Sequence, residues 1–150
     1  MPEPKSSSSG DQAVLHLRAG KLLKGLLTGF TPTGDTLFLQ LESEPSKPPI
    51  TVKVSDLKAI YYVRSLSGNK QYKKKRYFGS AETKGKRMMV RFKDGEILCG
   101  FVEGDLPWKD GFLTATDPNL KGFFIYPADP EGNNTKVFVV TTAVEDVRRL

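Results

Sequence analysis

Residues 16–29 read HLRAGKLLKGLLTG and residues 91–104 read RFKDGEILCGFVEG, so that Gly20, Gly25 and Gly29 recur 75 positions later as Gly95, Gly100 and Gly104. This doubled stretch constrains the fold more than any other feature. A glycine at a turn and a second one five residues on describe a hairpin whose return strand bends sharply, a bend that a side chain would obstruct. Around the first copy, Leu15 and Leu17 alternate with His16 and Arg18, the period of two expected for a half-buried strand.

The same reading extends along the chain. The first half offers strands from Ala13, over Leu22–Phe30 and Thr36–Leu41, at Ile50, Val52 and Val54, and over Leu57–Val63. The second half repeats the plan with Met89–Lys93, the turn Asp94-Gly95, Ile97–Val102, Gly122–Tyr126, Val137–Thr141 and Ala143–Leu150. Toward the end of each half the offset grows to 87, Ile50 matching Val137 and Ile60 matching Val147. The second copy is therefore expected to carry a 12-residue insertion between Gly104 and Gly122. No segment has a convincing amphipathic helical period. The expected organisation is a disordered tail over 1–12, a first β repeat over 13–64, a basic connector over 65–87, and a second repeat over 88–150.

The motif AVLHLRAGKLLKGLLTGF…DTLFLQLE resembles the opening of Sm-like proteins at Gly20, Lys21, Gly25, Leu27 and Phe30. The resemblance implies an all-β fold of two tandem Sm-like small β-barrels, with packing as a pseudo-dimer one way to cover their edges. It does not bring the RNA pocket of that family. Thr31 stands where an Asp is expected, Asp35 where an Asn is, and Ser55-Asp56 and Thr142-Ala143 replace an Arg-Gly pair. The chain is also similar to an uncharacterised bacterial family built from this duplicated unit. YYVRSLSGN, RFKDGEILCG and GFFIYPADPEGNNTKVFVVTTAVEDV carry that likeness, which implies a cytoplasmic protein and no established activity.

Chemistry-bearing residues are few. His16 and Cys99 are the single histidine and cysteine; they read as a solvent-facing strand residue and a plain small strand residue. With one cysteine there is no disulfide framework, which fits a reducing compartment. No cluster of metal ligands or paired catalytic carboxylates is visible, so the expectation is no catalytic residue, no metal and no cofactor. GSAETKGK at Gly79–Lys86 misses the phosphate-loop spacing, with five residues between its glycines and Arg87 in place of a hydroxyl. The paired arginines of cyclic-dinucleotide receptors of the PilZ type are missing too, since Arg64 and Arg76 lie too far apart. Asn133-Asn134-Thr135 reads as a turn rather than a glycosylation site, because the start MPEPKSSSSGDQ has no apolar signal core. No apolar run approaches the ~20 residues of a membrane span.

Charge is where the sequence is least uniform. Residues 65–87 hold eight cations and one acid, Glu82, which exceeds the net charge of +6 for the whole chain. The body is thus slightly acidic and the connector strongly basic. Lys70, Lys73, Lys74, Lys75 and Arg76 interleave with Tyr72 and Tyr77, a combination that neutralises phosphates and stacks on bases. The plainer reading is a solvated connector with its aromatics packed down; an acidic protein surface or an anionic membrane would also satisfy the charge. Trp108, with Phe112, Phe123 and Phe124, reads either as a partner anchor in the insertion or as the cap of a barrel end. The functional expectation is a non-enzymatic adaptor or ligand-binding module for an unknown protein partner or polyanion. Nucleic-acid binding through residues 70–78 is the alternative.

Overall fold

The computed structural model describes residues 10–66, 86–102, 121–128 and 133–150. Ten antiparallel strands form one sheet. They are β1 (Asp11–Leu17), β2 (Leu22–Thr28), β3 (Thr36–Leu41), β4 (Ile50–Lys53), β5 (Leu57–Val63), β6 (Lys86–Phe92), β7 (Ile97–Val102), β8 (Gly122–Pro127), β9 (Asn134–Val140) and β10 (Val144–Arg149). Single 3-10 turns, Val54–Asp56 and Thr141–Ala143, precede β5 and β10. The spatial order is β10-β6-β7-β8-β9-β5-β1-β2-β3-β4. Split between β9 and β5, it gives two five-stranded units with the same internal order.

The likeness of the units reaches single hydrogen bonds. Leu17 N donates to Lys21 O in the first hairpin and Phe92 N to Glu96 O in the second, both at 2.9 Å. Arg18 N reaches Asp56 O, and Lys93 N reaches Ala143 O, again both at 2.9 Å. Each unit has a bulge at the same place: His16 faces Ala59 and Leu17 faces Leu57, while Arg91 faces Asp146 and Phe92 faces Val144. The extra residue is Lys58 in one unit and Glu145 in the other.

The repeated glycines divide into two kinds. Gly20 and Gly95 take φ of +98° and +94°, the left-handed conformation of a hairpin turn, and a Cβ there would meet open space. Gly25 and Gly100 are buried return-strand residues lying against neighbouring backbone; a Cβ would strike the carbonyl oxygen of Gln40 or Tyr126 respectively.

The expected all-β class is what is found, but the units are not laid out as separate closed barrels. They share one open ladder, in which β5 pairs with β9: Ala59 faces Val139, Ile60 faces Phe138 and Tyr61 faces Val137. All seven residues of β5 are buried, because the strand feeds a core on each of its faces. Ala59, Tyr61 and Val63 join Met88, Val90, Phe92 and Val137 in one core, whereas Leu57, Ile60 and Tyr62 join Leu15, Leu39 and Phe138 in the other. Phe138, fully buried, belongs to the second unit by sequence and to the first unit's core by position. Two small units that would each be marginal alone gain two apolar cores that share β5 this way.

The insertion also divides differently from the sequence reading. Gly25 stands opposite Leu41, and Gly100 opposite Pro127. The β3–β8 offset is thus 86, which places eleven of the extra residues before β8 and one between β8 and β9.

Candidate functional site

Lys70, Tyr72, Lys73, Lys74, Lys75, Arg76, Tyr77 and Trp108, together with Phe112, lie outside the described residues. Phe123 and Phe124, grouped in the sequence with the aromatics of the insertion, sit in β8, the strand expected over Gly122–Tyr126. Phe123 is buried in the second core, and Phe124 packs edge-on against Phe138, with ring centroids 5.1 Å apart. Lys136 Nζ lies over both Tyr62 and Phe124, 4.7 and 4.9 Å from the ring centroids.

His16 corrects a second expectation. It is half-buried rather than solvent-facing, with its ring 4.1 Å from that of Tyr61. Tyr61 is itself unusual: its hydroxyl is buried and has no hydrogen-bond partner among the described residues. Burial, and then the nearby carboxylates of Glu96 and Asp94, push its ionisation far above the ordinary tyrosine value. Cys99 is a half-buried strand residue whose thiol burial pushes up, away from thiolate reactivity. Asn133, read as a turn residue, ties the seam: its side chain accepts from Ser65 N and donates to Ser65 O, both at 3.0 Å.

One cavity between the units lies beside β5 and the β6–β7 hairpin. It is a cleft of about 240 Å³ lined by Arg18, Lys58, Phe92, Lys93, Asp94 and Ala143. Arg18 and Lys58 come from the first unit and the others from the second. Arg18 and Lys93 hold the same position in their respective hairpins, so the seam sets two exposed cations around one cleft. No local motif marks these residues in the sequence, though a signal was present. Lys58 interrupts an otherwise apolar β5, and a lysine in such a strand requires carboxylates from elsewhere.

Those carboxylates come from the second hairpin. Lys58, only 8% exposed, donates to Asp94 Oδ2 at 2.8 Å and to Glu96 Oε1, and its ammonium sits 4.7 Å from the Phe92 ring centroid. Burial alone would lower the Lys58 pKa, but the hydrogen bonds it donates to Asp94 and Glu96, with their charge, outweigh it, and the net shift is upward. The hydrogen bond from Lys58 in turn holds Asp94 below the usual carboxylate range. A raised lysine contributes stability present below ~10.4 and lost as pH climbs through its folded value; a depressed carboxylate contributes stability present above ~3.9 and lost as pH falls.

Lys58→Met keeps the stem and removes the charge. It should cost about 1–2 kcal/mol at pH 7, below the ~3–5 of a fully buried broken pair, because the two acids remain half exposed to water. Urea melts at pH 7 and pH 3 check this. The gap between variant and parent should shrink at pH 3, and an equal gap at both would contradict the ionic account.

Among the described residues no group of three or more His, Cys, Asp or Glu is placed to hold a metal ion, and no helix is long and apolar enough to cross a membrane. A family model whose members have no known function matches residues 9–150. No curated protein and no solved structure matches the chain.

Proposed function

The chain belongs to the family of unknown function DUF6982, and from that premise we propose that it is a non-enzymatic, cytoplasmic ligand-binding or adaptor module made from a duplicated, Sm-like β unit. The common strand order, turns and bulge of the two units support the duplication. The observation that carries the binding role is the seam cleft, where Arg18 and Lys93 flank a space of about 240 Å³ whose third cation, Lys58, is already neutralised by Asp94 and Glu96. Two cations that form no ion pair among the described residues, beside one small cleft, suit a compact anion. The arginine fork suits phosphate or carboxylate oxygens in particular.

A nucleic-acid reading keeps one observation of its own. The connector enters β6 at Lys86, where Arg87 faces Phe101 and Phe101 faces Tyr126 across the sheet. One cation and two aromatic rings thus line up on the strands that follow residues 70–78, a pattern suited to single-stranded nucleic acid.

One titration series separates the two. Isothermal titration with inorganic phosphate and nucleoside phosphates should give saturable binding to the parent protein. Arg18→Glu with Lys93→Glu should abolish it, while replacement of Lys73, Lys74, Lys75 and Arg76 by Glu leaves it intact. Short RNA and DNA, followed by anisotropy between 50 and 200 mM salt, should respond in the opposite sense if the connector is the site. Absence of any anion binding to the cleft removes the first reading.

A further inference from the structure

We propose that copies of this chain associate head to tail, the free edge of β10 in one copy pairing with the free edge of β4 in the next, with Glu145 of one facing Lys21 of the other. Among the described residues the sheet ends at β10 and β4. By position in the two units, β10 corresponds to β5 and β4 to β9, the two strands that already pair at the seam. Each chain therefore exposes both halves of a joint it has made once internally.

The side chains support the correspondence with reversed charge. At the seam the bulged residue of the fifth strand, Lys58, reaches across to Glu96 in the hairpin of the next unit. The bulged residue at the equivalent place in β10 is Glu145, and the residue equivalent to Glu96 in the first hairpin is Lys21. Both signs are inverted, so the pair stays complementary. Glu145 and Lys21 are exposed and belong to units at opposite ends of the sheet, so a neighbouring copy is what brings them together. Carried over, the seam register sets Asp146 against Val52, Val147 against Thr51 and Arg148 against Ile50, and one step further brings Glu145 toward exposed Lys53. A second opposite-charge contact follows.

The joint is shorter than the seam. Pro48 and Pro49 precede β4, and a proline has no N–H to give to a ladder. Four residues remain on that edge, against seven in β9. Association is accordingly concentration-dependent, and because the two surfaces differ it builds open chains or rings rather than a two-fold dimer.

Sedimentation of the full chain from about 10 μM to 1 mM tests this. The average mass should rise with concentration. Lys21→Glu or Glu145→Lys alone should weaken association by about fivefold, in keeping with exposed ion pairs. The double variant on one chain, or an equal mixture of the two single variants, should restore most of it, the remaining deficit being the lost contact between position 145 and Lys53. Circular dichroism confirms that these exposed substitutions leave the fold intact. A monomer at every concentration, as expected if the edges serve an unrelated chain, would overturn the proposal. So would association that ignores the charge reversals or is not rescued by the double variant.

Discussion

Phe138→Ala should lower the unfolding free energy by about 3–5 kcal/mol, the range for deleting a fully buried aromatic ring. The loss should fall on the first unit although the residue lies in the second. Phe138 has no exposed surface and packs with Phe30 at 4.8 Å and Phe124 at 5.1 Å between ring centroids, inside the core that holds Leu15, Leu37 and Leu39. Deleting it opens a cavity among first-unit residues. Native-state hydrogen exchange should therefore show β1, β2 and β3 losing at least as much protection as β6, β7 and β8. Losses confined to the second unit would mean that the strand is not shared.

Gly25→Ala and Gly100→Ala come next in size, and the contrast with Gly20→Ala and Gly95→Ala is the informative part. The buried pair has no room: a methyl would collide with the backbone carbonyl of Gln40 or Tyr126, which can move only if the β2–β3 or β7–β8 pairing gives way. A cost of about 2–4 kcal/mol is expected, at the upper end of what overpacking or backbone strain produces. The hairpin-tip pair has open space and pays only for a positive φ, about 1 kcal/mol. Thermal melts of the four variants should show two mildly and two severely affected. Similar shifts for all four would remove the close-approach explanation.

These glycines were also the most legible part of the chain. Hairpins, bends and strand limits are local: alternation in residues such as Leu15 and Leu17, with a glycine at each turn, places β1–β2 and β6–β7 within three residues of where they lie. The joining of the units is not local. The surface of β5 that pairs with β9 carries no turn or spacing signal, because the facing stretches 59–61 and 137–139 are simply apolar, and their pairing is settled by two cores closing at once. The misreading of His16 has the same origin. Alternation within the first unit points it outward, but beyond the seam that face of the sheet turns into the second unit's interior, where Tyr61 covers it. Lys58 was readable as an anomaly but not as a pair, since Asp94 and Glu96 lie 36 and 38 positions away.

The central claim is that the two units form one sheet through β5 and β9, with the cleft and the exposed edges following from that joint. Hydrogen exchange of the native protein, resolved by strand, tests it most directly. Amides of β5 and β9 that bond across the seam should exchange only through global unfolding, in one cooperative step, while the edge strands β4 and β10 exchange first. Exchange of Ala59, Tyr61 and Val139 as fast as that of the edge strands, or two separate unfolding steps dividing the chain between β5 and β6, would contradict it.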